Sequence, residues 1–332
     1  MSTDKQDYLH QPVLLKEVLK WLGPAEDVLQ LNERRAQPSS SEPCLIVDAT
    51  TGEGGHAEAF LKNFPQTILL CVDADSTQLE VAQKRLAAYK GRVRFFHSSY
   101  ASFFKNYQSF AINKPDRIFF DLGISSRHYA EGKRGFSFQK DEVLDMRLNS
   151  NKGPTAAQLL NSLSEEELAS LIALYGEERY ARRIARAVCK ARQGKELSRT
   201  SELVKIITKA VGAYYHRQRI HPATRTFQAL RIAVNNELNE LREGLDYGFE
   251  VLKKGGRLGV ISFHSLEDRI VKQFFKAKNK PCKCPPEMPI CQCGAQKQIL
   301  IITKKPITAL PVEIKLNPRA RSAKFRVGEK CA

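Results

Sequence analysis

The chain has 332 residues, of which 42% are hydrophobic and 27% charged, a composition of folded soluble domains rather than of disorder. No apolar run approaches the ~20 residues needed to cross a bilayer; residues 1–11 have neither the apolar stretch of a secretory signal nor the Arg-rich, acid-poor character of a transit peptide, which points to the cytoplasm. Lys and Arg outnumber Asp and Glu by 53 to 36, a formal charge of +17, which suggests a polyanionic partner and no membrane, because fixed basic groups displace the counterions condensed on phosphates.

The segment HQPVLLKEVLKWL (10–22) reads as a short amphipathic helix, and residues 30–43 as a polar loop. CLIVDAT (44–50) is a β-branched, buried strand. Its glycine-rich sequel DATTGEGGH (48–56) opens a helix expected over 56–63. TILLCVDAD (67–75), VRFFH (93–97) and RIFFDLG (117–123) are further strands, and STQLEVAQKRLAAY (76–89) is a helix with Ser76 as its cap. Apolar runs without clean alternation suit strands buried on both faces of a parallel sheet.

Between about 125 and 222 no strand pattern appears. TAAQLLNSL, SEEELASLIALYG, YARRIARAVCKARQ and SELVKIITKAVGAYY are helical in period, with Ser164 and Glu167 spaced as a capping box and Ser201 as a further cap. The α/β rhythm then returns. A long helix is expected over 224–252, a strand over 256–263, a helix capped by Ser265 over 265–278, and strands over 298–305 and 323–330. The seven strands make one doubly wound sheet. It comprises 1–124 and 223–332 and is interrupted by an inserted helical domain at 125–222.

The glycine run follows a strand and opens a helix, where backbone N–H groups lie free to meet a ligand. Asp73 closes the second strand 18 positions after Gly55, placed to accept both hydroxyls of a ribose; an ordinary solvated turn is the plainer reading of each signal alone. The run G-E-G-G-H is shorter than the G-x-G-x-x-G that holds a pyrophosphate, which favours S-adenosylmethionine over a dinucleotide. Tyr100, past the third strand, can stack on adenine or serve only the core. Asp121 ends the fourth strand, where open α/β sheets place their chemistry, or else caps the next turn.

Read with RGFSF (134–138), LDMR (144–147), YGEERYARRIAR (175–186), HPATRTFQALRI (221–232) and ISFHSLEDRIVK (261–272), the pattern resembles the bacterial 16S ribosomal RNA cytosine-N4 methyltransferase family, RsmH or MraW. The resemblance runs from HQPVLLKEVL (10–19) to NPRARSAKFRV (317–327). It implies a Rossmann-like, S-adenosylmethionine-dependent methyltransferase domain with a helical insertion. The implied reaction is methyl transfer to the N4 amine of a cytidine in the decoding centre, on 16S RNA or the assembling small subunit. The family's cofactor positions fall on Gly54, Gly55, His56, Asp73, Tyr100, Asp121 and His128. Asp121 is also the catalytic candidate, since an acceptor on an N4 hydrogen, either this carboxylate or a nearby backbone carbonyl, localises the nitrogen lone pair. Methylation at carbon 5 needs a thiolate, and the fourth strand ends DLGISS without one. That ending also lacks the Asp/Asn-Pro-Pro-aromatic motif of many amino-methyltransferases, so their mechanism does not transfer.

Arg179, Arg182, Arg183, Arg186, Lys190 and Arg192 follow helical spacing and suit phosphate contacts or a merely solvated face. Arg217, Arg219, His221, Arg225 and Arg231 form a second basic group. His264 is a candidate for the substrate pocket or for a cap. Cys282, Cys284, Cys291 and Cys293 form C-x-C-x6-C-x-C, which reads as a tetrahedral zinc site or as free or redox-active thiols. The eight cysteines lack the spread of a secreted disulfide scaffold. Two other functions stay open: a methyltransferase acting on a different nucleic acid or on a protein, and a non-catalytic ribosome-assembly factor that keeps a nucleoside pocket.

Overall fold

A computed structural model of the chain describes residues 12–24, 43–110, 112–125, 133–212, 215, 220–280, 284 and 292–331. The chain divides into two compact units, Met1–Gly123 with Glu240–Ala332, and Ile124–Asn239.

The first unit is built on one sheet. Its strands are β1 (Cys44–Asp48), β2 (Thr67–Asp73), β3 (Val93–His97), β4 (Arg117–Asp121), β5 (Arg257–Ser262), β6 (Ile299–Ile301) and β7 (Lys324–Lys330), in spatial order β3-β2-β1-β4-β5-β7-β6. The first five run parallel, whereas β7 lies antiparallel between β5 and β6. Successive side chains of a strand point to opposite faces, and both faces are apolar. Ile46, Leu69, Cys71, Phe119 and Phe325 lie in one core, and Val47, Leu70, Val72, Ile118 and Phe120 in the other.

Helices cover each face. Helices α1 (Leu15–Leu22) and α2 (Gly55–Asn63) bury Val18, Leu22, Phe60 and Leu61 in the first core. On the opposite face are α4 (Tyr100–Lys105), α10 (Glu237–Val251) and α11 (Ser265–Asn279), which supply Phe103, Leu245, Phe249 and Phe275. Helix α3 (Ser76–Arg85) connects β2 to β3, and the short α12 (Pro311–Leu316) precedes β7. Strand order reverses between β1 and β4, so the crevice of the switch point opens at their carboxyl ends, marked by Asp48 and Asp121.

The second unit is a helical bundle. It contains α5 (Ala156–Ser162), α6 (Glu165–Gly176), α7 (Ala181–Arg192), α8 (Thr200–Val211) and α9 (Ala223–Asn235). Their inward faces bury Leu160, Leu168, Ile172, Ile184, Val188, Leu203, Ile207, Phe227 and Leu230 in one core. The capping box of Ser164 and Glu167 starts α6 as the spacing requires, and Thr155 with Gln158 makes another for α5.

Several elements differ from expectation. The helix expected over 224–252 is two helices, broken at Asn236, which takes the left-handed conformation at φ 50° and so ends α9; a short polar side chain tolerates that geometry. Because α9 buries Phe227 and Leu230 in the bundle core, the chain returns to the first unit at Glu240 rather than 223. Asp75, not Ser76, caps α3 by accepting from the Thr77 N–H. His264, not Ser265, caps α11, and Ser201 lies inside the first turn of α8. No described helix is long and apolar enough to cross a membrane.

Candidate functional site

Three aspartates stand at the carboxyl ends of adjacent strands. Asp48 ends β1, Asp73 ends β2 and Asp121 ends β4. The turn after β1 is tied to both neighbours, since Ala49 N–H donates to the Phe119 carbonyl and Thr51 N–H to the Val72 carbonyl. Gly54 caps α2 at φ 80°, a left-handed geometry that favours glycine. At Gly55 an added Cβ would stand 2.8 Å from Pro12 Cγ. The first-turn N–H groups of α2 have no carbonyl within the helix to bond to, and the helix dipole makes that end positive.

Asp73 accepts from Gly52 N–H at 2.7 Å through Oδ2 and from Asp75 N–H at 2.9 Å through Oδ1. These two bonds fix the carboxylate at the mouth of the glycine turn. Tyr100 begins α4. Its ring is edge-on to Phe120 (5.3 Å, 86°) and lies against Gly244, where a Cβ would collide with it. The tyrosine thus sits partly buried against the core, next to the end of β3.

Asp121 is tied both to the glycine turn and to α2. Its backbone N–H donates to Thr50 Oγ1 at 2.6 Å. Its Oδ2 lies 3.5 Å from His56 Nδ1, while Oδ1 is buried with no hydrogen-bond partner among the described residues. Burial, together with Asp48 and Glu267, pushes the carboxyl well above the usual range. Asp48, 1% exposed, is pushed up to about 7 by burial, against the Thr50 N–H that lowers it and with Asp73 adding to the rise. The sequence reading passed over Asp48 and Glu267. Asp48 looked like the end of a buried strand, and Glu267 belongs to a helix 146 positions beyond Asp121.

The imidazole of His56 is 6% exposed and edge-on to Phe119 at 4.8 Å. Its Nε2 is 3.0 Å from the Val13 carbonyl. His56 therefore presents backbone to the turn, while its ring lies inside the fold. His264 acts as a cap, its ring against the buried Glu267, whose Oε2 accepts from Phe263 N–H at 2.8 Å. His128 lies outside the described residues.

In the second unit, Arg179, Arg182, Arg183, Arg186 and Lys190 are exposed, opposite the buried Ala181, Ile184, Ala185 and Val188 of the same segment. Arg186 pairs with Glu165 at 3.2 Å, and Arg179 and Arg183 lie over the Tyr180 ring. Arg192 departs from this face, donating from Nη1 to the Leu160 carbonyl at 2.6 Å. In the second basic group, Arg231 forms a two-pronged pair with Glu237, and Arg225 donates to the Glu177 carbonyl. His221 stacks on Phe138 at 4.7 Å, and Arg217 and Arg219 lie outside the described residues. So do Cys282 and Cys291, half of the cysteine loop.

The chain is similar to known proteins along most of its length. Residues 7–331 match the model of the MraW methylase family. A protein of Treponema denticola named ribosomal RNA small subunit methyltransferase H is 48% identical over 323 residues, 97% of each chain. One of the same name from Geobacter sp. strain M21 is 44% identical over 98% of this chain and 99% of its own. Among solved structures, a SAM-dependent O-methyltransferase of Thermotoga maritima superposes with a TM-score of 0.34 and 10% identity, covering 93% of this chain and 72% of its own.

Proposed function

The chain belongs to the MraW methylase family, and from that premise we propose that it methylates the N4 amine of a cytidine in the decoding centre of 16S ribosomal RNA. Its named relatives are ribosomal RNA small subunit methyltransferases, and the chain's own substrate is read as 16S RNA or the assembling subunit in the cytoplasm. S-adenosyl-L-methionine supplies a methyl group on a sulfonium. The site fits that cation, because three acids crowded at one sheet edge are relieved by positive charge.

The residues divide the work. Asp73 would hold the ribose hydroxyls, and the turn at Gly54, Gly55 and His56 would let the cofactor approach the backbone, with its carboxylate at the positive end of α2. Tyr100 would border the adenine, and His128 is carried over from the family resemblance. Asp121 would take the N4 amine. Its Oδ1, buried without a hydrogen-bond partner among the described residues, is the observation that carries the reading, since a buried orphan acceptor is costly unless a ligand donor satisfies it. By accepting an N–H, it localises the nitrogen lone pair as the methyl is transferred. The insertion, from 125 to 222 with α9 added, would carry the RNA on the exposed basic face of α7.

The test is transfer of labelled methyl to small-subunit RNA lacking the modification, followed by digestion to nucleosides. N4-methylcytidine is the expected product. Label in 5-methylcytidine, or only in protein, overturns the assignment.

A further inference from the structure

We infer that His56 is a positioning residue for Asp121, its imidazolium facing one carboxylate oxygen so that the other stays an ionised acceptor for the substrate amine. The inference rests on the amine-methylation reading above and adds a role for the His56 ring, which lies inside the fold.

A backbone carbonyl can only accept a hydrogen bond. The Val13 oxygen, 3.0 Å from Nε2, therefore requires a proton on that nitrogen. The other nitrogen, Nδ1, faces Asp121 Oδ2 at 3.5 Å. A neutral ring protonated on Nε2 would turn its Nδ1 lone pair onto a carboxylate oxygen, two acceptors facing one another. One further proton relieves this repulsion, and placed on Nδ1 rather than on the carboxyl it makes an ion pair of imidazolium and carboxylate. The surrounding charge favours that state. Asp121 meets Asp48 from β1 and Glu267 from α11, and Asp73 lies beyond Asp48. These neighbours are acids, and an imidazolium offsets them.

The ring cannot drift from this pose. Phe119 lies against it edge-on, and Val13 is itself clamped. Leu14 N–H, the next amide along, donates to Glu313 Oε1 at 2.7 Å across 299 positions of sequence, and Leu14 holds φ 53°. Glu313 on α12 thus fixes the segment that fixes His56, which fixes Oδ2.

Its consequence for the reaction is a proton balance. As the amine nitrogen forms its bond to the methyl carbon, the carbon–sulfur pair returns to sulfur. One N–H proton then passes to Asp121 Oδ1. That transfer requires Oδ1 to be ionised beforehand, in an acid-rich, buried setting that opposes ionisation. The neighbouring imidazolium keeps it so.

Two measurements test the inference on the full chain. In 15N-histidine spectra, assigned with His56→Gln, both ring nitrogens of His56 should carry protons at pH 7, and Asp121→Asn should release the Nδ1 proton. An Nδ1 without a proton throughout pH 6–9 overturns the inference. This holds even where His56→Gln fails to fold, because the wild type then supplies the signal and Asp121→Asn the assignment. Single-turnover methyl transfer at saturating S-adenosylmethionine supplies the second arm. His56→Gln should move the acid limb of the pH profile upward by about one pH unit, the scale of losing one adjacent opposite charge, with the rate recovering toward wild type in alkali. Glu313→Gln, which loosens the clamp, should move the limb the same way by less. An equal loss of rate at every pH marks a merely structural histidine and overturns the inference. If wild type makes no N4-methylcytidine, the parent reading fails instead, while the spectra still report the proton between His56 and Asp121.

Discussion

At the carboxyl edge of the sheet three acids lie close together, Asp48 buried and Asp73 and Asp121 partly so, while along α7 and the turn before it five basic side chains stand in solvent. The two regions use charge in opposite ways. Burial raises the proton affinity of Asp48 and Asp121; solvated charge leaves the arginines ionised, screened and loosely held. The first region is therefore read by pH, proton position and turnover, and the second by salt.

The largest effect is expected at Asp121. Asp121→Asn keeps the shape and removes the anionic acceptor. Single turnover at saturating cofactor should slow by about two to three orders of magnitude, a typical loss for one oriented polar group at a reacting centre. A wild-type rate under saturation would reduce Asp121 to a cofactor contact.

Asp48 tests whether burial dominates the sheet edge. A carboxyl held neutral up to about pH 7 loses stability as pH rises from its unfolded value through that point, because ionisation is then easier in the unfolded chain. Asp48→Asn removes this penalty. The variant should be more stable than wild type by about 2–4 kcal/mol at pH 8, with the difference fading below pH 5. Thermal unfolding across that range checks it, and a pH-independent difference would mean that Asp48 is not buried as an acid.

Asp73→Ala should weaken S-adenosylmethionine binding by about 1.5–3 kcal/mol, the scale of hydrogen bonds to a charged acceptor, read by calorimetry. Part of the loss reaches the turn, since Gly52 and Asp75 N–H groups lose their acceptor. Asp73→Asn keeps one acceptor oxygen and should fall between.

The sequence made these regions legible to different depths. Strand, glycine turn and helix were readable at 44–63 because the apolar run and the glycines are contiguous, and Asp73 was readable because it ends the next such run. Alternation of apolar and basic residues along 181–192 marked the helical face. Partners arriving from far along the chain left no local trace: Val13 and Glu313 behind His56, and Glu267 beside Asp121. The direction of β7 is equally silent, since AKFRVGEK reads the same whichever way it pairs. Helix α9 gave no sign that it would end at Asn236, because the amphipathic period continues past it and only backbone geometry breaks the helix.

On the solvated side, reversing Arg182 and Arg186 to Glu should lower RNA affinity and flatten its salt dependence. Each phosphate contact contributes about 0.7–0.9 to the log–log slope, so losing two should lower it by about 1.4–1.8. Arg186 already leans on Glu165 while its side chain is 77% exposed, so an exchange of partners there costs little stability. An unchanged slope would make this face solvent-exposed surface only.

Arg192 draws the boundary of that face within the same helix. At 100° per residue it falls on the side of Ala181, Ala185 and Val188 rather than with the other basic residues, and its guanidinium donates to the Leu160 carbonyl at 2.6 Å. That carbonyl lies in the last turn of α5, where the helix leaves carbonyls without intrahelical partners, and a cation there also meets the negative end of the dipole. The bond is part-buried and charge-assisted, so it holds α5 to α7 rather than awaiting a phosphate. Arg192→Ala should therefore lower the stability of the chain by about 1 kcal/mol and leave the salt slope of RNA binding unchanged. Arg192→Lys keeps the charge but not the planar fork, so it should recover part of the stability. A shallower salt slope for either variant would return Arg192 to the RNA face and show that the Leu160 contact yields when RNA is bound.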